Sequence, residues 1–201
     1  KEIHHRVKNN LAIMISLINM QARQIQHPEV LTALSDTKAR LLSMSLLHEM
    51  LYRTGSMDQV EVNCYLELLC DRLTQSLGML AQGIQIQFRP SASIMLEVNQ
   101  AVPCGLIVSE LVSNAIKHAF PDLRKGTIIM ELVVESPDSI ILCVSDDGIG
   151  LPEHMQIEQV RSVGLTLVKA LARQLGGAMT IQREYGTRFE IRFPIVPIIH
   201  S

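Results

Sequence analysis

Three short stretches carry side chains able to do chemistry. In "SELVSNAIKHAF" (109–120), Glu110 and Asn114 stand four residues apart, with Lys117 and His118 one turn further on. On a helix that spacing gives them a shared face. Carboxylate and amide oxygens one turn apart suit a hydrated Mg²⁺, and a lysine beside them suits a phosphate. In "SDDGIG" (145–150), Asp146 closes an apolar run and is placed to accept a hydrogen bond from an exocyclic amine. Gly148 and Gly150 let the backbone turn sharply there beside a flat ligand. In "SVGLTLV" (162–168), Gly164 opens a helix and Leu165 follows it. The free N–H groups and positive dipole end of such a helix attract an anion.

A fourth stretch, "EIHHRVKNNL" (2–11), sets two histidines and a basic, amide-rich run at the start of an apolar helix. Ile3, Val7, Leu11, Met14, Ile18, Ala22 and Ile25 step by three and four, which is helical period. At about 100° per residue, His5 lies about 160° from the centre of that stripe and His4 about 60° from it. His5 is therefore expected to face solvent or a partner, and His4 to sit at the edge of the core. A neutral imidazole is a competent nucleophile near pH 7. Arg6, Lys8 and the neighbouring amides then read as phosphate-positioning and partner-facing groups.

These residues need elements to hold them. "QHPEV" (26–30) interrupts the first helix, because Pro28 cannot continue it but suits the first turn of another. Val30, Leu34, Leu41, Met44 and Leu51 make a second stripe. Ile13, Leu17, Met20, Leu31, Leu42 and Leu47 widen both faces beyond what one partner helix covers, so a second copy or a neighbouring domain is expected to complete a bundle. "RTGSMD" (53–58) is the expected boundary between an N-terminal part, 1–54, and a second part, 57–197. In the second part "CYLELLCDRLTQSLG" reads as a helix, "IQIQFRP" and "SIMLEV" as strands, and "QAVPCGLIVSELVSNAIKHAF" as a long helix. "TIIMELVVES" and "SIILCVSDDG" read as strands, "GLTLVKALARQLGG" as a helix, and "AMTIQRE" with "TRFEIRFPIV" as a terminal hairpin. No βαβ rhythm is evident, so the reading is α+β, with helices on one face of a sheet.

Composition narrows the function classes. A net charge of −2 and 3% aromatic residues without Trp give neither the basic surface nor the stacking platforms of a nucleic-acid binder. Cys64, Cys70, Cys104 and Cys143 form no C-x-x-C pair and read as buried thiols in a reducing compartment. No run of about 18 apolar residues suggests a membrane span. No secretory leader is read, and the sequence starts in mid-pattern without Met, so a cytoplasmic piece of a longer chain is expected.

Each of the first three stretches is commonplace alone. In this order, separated by apolar strands and helices, they resemble the N, G1 and G2 boxes of the Bergerat ATP-binding fold, shared by histidine kinases, type II topoisomerases, mismatch-repair ATPases and chaperone ATPases. "YGTRFEIRFP", with Gly186 and Thr187 before the final strand, resembles the closing G-T-x-F element. The resemblance covers roughly 57–197 and implies that Asp146 binds the adenine amine and Asn114 holds Mg²⁺. It further implies that Glu110 assists the metal, partly through water, and that Lys117 and His118 face the phosphates of ATP. Gly148, Gly150, Gly164, Leu165 and Thr187 would complete the site, with 151–163 as a short lid. Thr166 stands where the second box often has another glycine.

"EIHHRVKNNL" resembles the phosphoacceptor box of the HisKA_2 and HWE-like histidine kinases, with His5 as the phosphoacceptor. The two resemblances imply the catalytic core of a two-component sensor histidine kinase: an antiparallel, bundle-forming helical hairpin, then a Bergerat-fold α/β sandwich. ATP with Mg²⁺ would phosphorylate His5, and the phosphoryl group would pass to an aspartate of a response-regulator receiver domain. A homodimer through the hairpin is expected, with a monomer as the alternative, and no contact with nucleic acid or membrane. The commoner families place an acid after the histidine, where Arg6 stands; Glu2, about 60° from His5 around the helix, is the candidate base. Asn9, one turn beyond His5, resembles in type and spacing the amide that orients water when such kinases dephosphorylate their regulators. The rival readings are a Bergerat ATPase or anti-sigma-type serine kinase without a phosphohistidine, and a non-enzymatic scaffold.

Overall fold

The computed structural model describes residues 2–54, 58–77, 83–90, 93–151, 163–183 and 185–195. Helices α1 (Glu2–Gln24) and α2 (Pro28–Thr54) fold back on each other across 25–27. Pro28 is the first residue of α2, where no N–H is needed, and the Leu31 N–H closes the first turn on the His27 carbonyl at 3.1 Å. On α1 the half-buried residues are Val7, Leu11, Ile15, Ile18 and Ala22. Met14, expected in that stripe, is 49% exposed, and Ile15 takes the inward place; Ile13, Leu17 and Met20 are also exposed. On α2 the buried residues are Ala39, Ser43, Leu46, Leu47 and Leu51, and the four apolar ones belong to one core shared with the rest of the chain. The broad apolar face of α2 is thus covered by α3 (Val62–Leu77) and α4 (Val98–His118).

Two sheets follow. Strand β1 (Gln59–Glu61) pairs antiparallel with β3 (Met95–Glu97), Val60 opposite Leu96. The sequence pattern does not show β1, and β3 is shorter than the strand read at "SIMLEV", because three residues are too few to display a period of two. The main sheet contains β2 (Ile84–Arg89), β4 (Gly126–Ser136), β5 (Ser139–Asp146), β6 (Ala178–Gln182) and β7 (Thr187–Pro194), in the order β2-β4-β5-β7-β6. Its pairs are antiparallel except β2–β4, which is parallel. A parallel pair needs a long crossover, which α4 supplies here. The insertion of β3 before α4 hid this unit from a reading that found no βαβ rhythm.

Alternate residues of the central strands point into the core: Ile128, Met130 and Leu132; Ile140, Leu142 and Val144; Phe189, Ile191 and Phe193. Helices α4 and α5 (Val163–Gln174) pack together above that face, and α3 packs against β2. On the other face Arg188 donates to Glu131 at 2.9 Å and to Glu190 at 2.8 Å. Cys143 lies opposite Glu131 and Glu190 in register, and burial pushes its thiol up to about 12. Cys70 and Cys104 are likewise buried and free, whereas Cys64 departs from the buried reading: it is exposed, on the first turn of α3, where its N–H is capped by Glu61.

The hairpin and the second part meet at a junction of three helices. The Tyr65 hydroxyl of α3 lies 2.7 Å from Ser43 Oγ of α2 and donates to the Ser43 carbonyl at 3.2 Å. Gly105 of α4 makes room for them: a Cβ there would lie 1.8 Å from Tyr65 Oη and 2.5 Å from Ser43 Oγ. Gly105→Ala should therefore cost about 1–3 kcal/mol, as overpacking does in a dense core. Thermal unfolding followed by circular dichroism should show Tm falling by roughly 2–4 °C per kcal/mol. An unchanged Tm would mean that the junction repacks freely.

Candidate functional site

The site begins where β5 ends. Asp146 stands opposite Ile128 on β4 and Thr187 on β7, so it is held from both sides at the rim of the sheet. The residue is 9% exposed, and its Oδ1 accepts the N–H of Gly148 at 3.0 Å and of Thr187 at 3.3 Å. Burial raises the Asp146 pKa above its ordinary value, and these backbone donors offset part of that rise. The glycine at 148 is required by space: a Cβ there would lie 2.3 Å from the Ala119 carbonyl oxygen. The same carbonyl accepts the Ile149 N–H at 2.9 Å, which ties the end of β5 to the end of α4.

Between these elements lies a cavity of about 350 Å³. Asn114 and His118 of α4, Asp146, Gly150 and Leu151 after β5, Leu165 of α5 and Thr187 of β7 all line it. Leu111, Val144 and Phe189 contribute apolar wall. Three motifs far apart in sequence are thus brought to one concavity, and among the described residues lining it Asp146 carries the one carboxylate. A flat heterocycle with an exocyclic amine fits that chemistry: apolar surface for the ring faces and a fixed acceptor for the amine. Gly164 lies nearby, in the first turn of α5; a Cβ on it would come within 2.7 Å of Glu110 Oε2 and 3.6 Å of Asn114 Nδ2. The N-terminus of α5 therefore meets the polar face of α4.

Two expected site residues are turned elsewhere. Glu110 accepts a hydrogen bond from Arg40 Nε of α2, which raises the arginine pKa. Lys117 donates a hydrogen bond to Asp36 of α2, and Ser113 Oγ donates to the same Asp36 Oδ1 at 2.7 Å. Neither Glu110 nor Lys117 lines the cavity. Asp36 and Arg40 were not singled out in the sequence, since they lie 70 to 81 residues from their partners. The available signal was two opposite charges one turn apart on a helix whose neighbours in phase are apolar.

The helix α1 carries Glu2 and His5, whose side chains lie outside the described ones, as do residues 152–162 of the expected lid. Asn9 is exposed on α1, and Lys8 beside it pairs with Glu49 of α2 at 3.5 Å. Among the described residues no three His, Cys, Asp or Glu side chains group as metal ligands. Among the described residues no helix is long and apolar enough to cross a membrane.

Comparison with known proteins agrees with this geometry. Residues 2–77 match the HisKA_2 family, described as histidine kinase, and residues 99–197 match the histidine kinase-, DNA gyrase B- and HSP90-like ATPase family. A sensor histidine kinase of Mycobacterium tuberculosis, PdtaS, is 34% identical over 97% of this chain and 39% of its own length. A blue-light-activated histidine kinase of Erythrobacter litoralis is 28% identical over 96% of this chain and 56% of its own. The chain thus spans well under two thirds of these curated relatives. The solved histidine kinase domain of an Erythrobacter litoralis blue-light activated kinase superposes with a TM-score of 0.71 at 26% identity, over 96% of this chain and 89% of that one. The α+β reading holds, helical hairpin first and Bergerat-type sandwich second, and the chain belongs to the sensor histidine kinases of the HisKA_2 type.

Proposed function

We propose that this chain is the catalytic core of a two-component kinase, which binds ATP in the cavity beside Asp146 and transfers its γ-phosphoryl group to His5. The observation that carries the proposal is the Asp146 carboxylate, buried and oriented by two backbone N–H groups in the wall of a cavity that Asn114 also lines, in a chain that also bears a HisKA_2 hairpin. In the transfer a lone pair of the His5 imidazole forms an N–P bond as the bond from the γ-phosphorus to the β–γ bridging oxygen breaks. ADP leaves, and the imidazole proton passes to solvent or to Glu2. The protein's share is positioning and charge neutralisation. Asn114 would hold Mg²⁺, and the ion would neutralise phosphate charge. The phosphoryl group then passes to the aspartate of a receiver domain, and Asn9 would orient water in the reverse, dephosphorylating reaction. A cytoplasmic setting and a homodimer through the exposed apolar residues of α1 complete the reading. The family match favours it over an ATPase or serine kinase without a phosphohistidine.

Incubation with labelled ATP tests the acceptor. His5→Gln should abolish acid-labile label on the protein, whereas His4→Gln should keep much of it; the reverse pattern would refute the assignment. The base site has its own test. Asp146→Asn should weaken ATP binding about tenfold or more with and without Mg²⁺, as loss of a charged hydrogen bond implies. Asn114→Ala should chiefly remove the Mg²⁺-dependent part. Because burial raises the Asp146 pKa, acidification should protonate it above the usual carboxylate range and weaken binding there. That pH dependence should vanish in Asp146→Asn, and calorimetric titrations across pH would read it.

A further inference from the structure

Two ion pairs join α2 to α4. Asp36 and Arg40, one turn apart on α2, face Lys117 with Ser113 and Glu110 on α4, the two helices running in opposite directions. Side-chain exposures are 22% for Asp36, 28% for Arg40, 23% for Lys117 and 4% for Glu110, so the pairs are far drier than ordinary surface bridges. Glu110 also borders the start of α5: its Oε2 lies where a Cβ on Gly164 would come within 2.7 Å. An anion placed there has the favourable end of the α5 dipole, so the carboxylate holds ground that suits a phosphate.

We infer that Asp36 and Arg40 of the hairpin are positioning residues for the nucleotide site, with opposite effects on ATP affinity. Asp36 withholds the Lys117 ammonium from the phosphates. Arg40 neutralises the Glu110 carboxylate, which would otherwise repel them. The inference rests on the proposed ATP site and adds to it that the second helix of the hairpin sets the charge which the nucleotide meets. Affinity linkage is reciprocal, so bound ATP loosens the Asp36 contact and with it the seat of the hairpin on α4.

The test is ATP affinity, by calorimetric titration of the whole chain, with cooperative thermal melting to verify folding. Asp36→Asn, which keeps the shape and removes the charge, should tighten ATP binding about fivefold or more, within the usual range of intramolecular coupling. Arg40→Gln should weaken it by at least a similar factor. Ser113→Ala, which removes the neutral donor to Asp36, should stay within about twofold of the parent. Damage to a merely structural contact would move the first two variants in the same direction. Such a result would overturn the inference, as would an unchanged affinity in Asp36→Asn or equal tightening by Ser113→Ala. If Asp36→Asn does not melt cooperatively, Asp36→Ser carries the same expectation. A parent chain that binds no ATP would instead refute the site itself, and this inference with it.

Discussion

Helix α4 is enclosed along most of its length, with residues from Gln100 to Ala115 buried on nearly every side. A helix in that position must find a partner for each polar side chain it carries, because a buried donor or acceptor left alone costs more than the bond it would make. These side chains find partners in three directions. Gln100 donates to the Pro194 carbonyl at the end of β7 at 2.8 Å, and Ser109 back-bonds to Gly105 at 2.8 Å. Ser113 and Glu110 reach α2. The orientation of α4 is therefore fixed from the sheet on one side and from the hairpin on the other.

The cavity depends on that placement. Asn114 and His118 reach it from the final turns of α4, and Ala119, just beyond, packs against the backbone of Gly148. Asp146 is set from the opposite side by sheet register, since its pairing with Thr187 delivers the second N–H to its carboxylate. A site assembled from a helix end and a strand end tolerates little relative motion, which is what a fixed acceptor for a heterocycle amine requires.

The hairpin has two unlike helices. The inner side of α2 is absorbed into the common core through Ala39, Leu46, Leu47 and Leu51, while α1 keeps Ile13, Leu17 and Met20 exposed. The polar start of α1, with Arg6, Lys8 and Asn9, is exposed too, so one helix presents both an apolar flank and a charged tip to whatever it meets. A bare ATPase domain has no need of such a helix, whereas a phosphoacceptor hairpin does.

Sequence alone determined the local order: helices from periods of three and four, long strands from alternation, and the Asn114, Asp146 and Gly164 motifs from residue type and spacing. These properties are set by neighbours within a turn or a pleat, so they are legible one segment at a time. It also supplied the family resemblance, since the motifs recur in fixed order. The parallel β2–β4 pair, the short β1–β3 ladder and the inward place of Ile15 instead of Met14 were decided by packing, because several pairings satisfy the same local pattern. So was the fate of Glu110 and Lys117. Spacing put them on one face of a helix with Asn114, but whether that face met the cavity or another helix depended on charges at Asp36 and Arg40, 70 to 81 positions upstream of their partners Glu110 and Lys117. No local rule links residues that far apart; only the docking of α2 on α4 brings them within bonding distance.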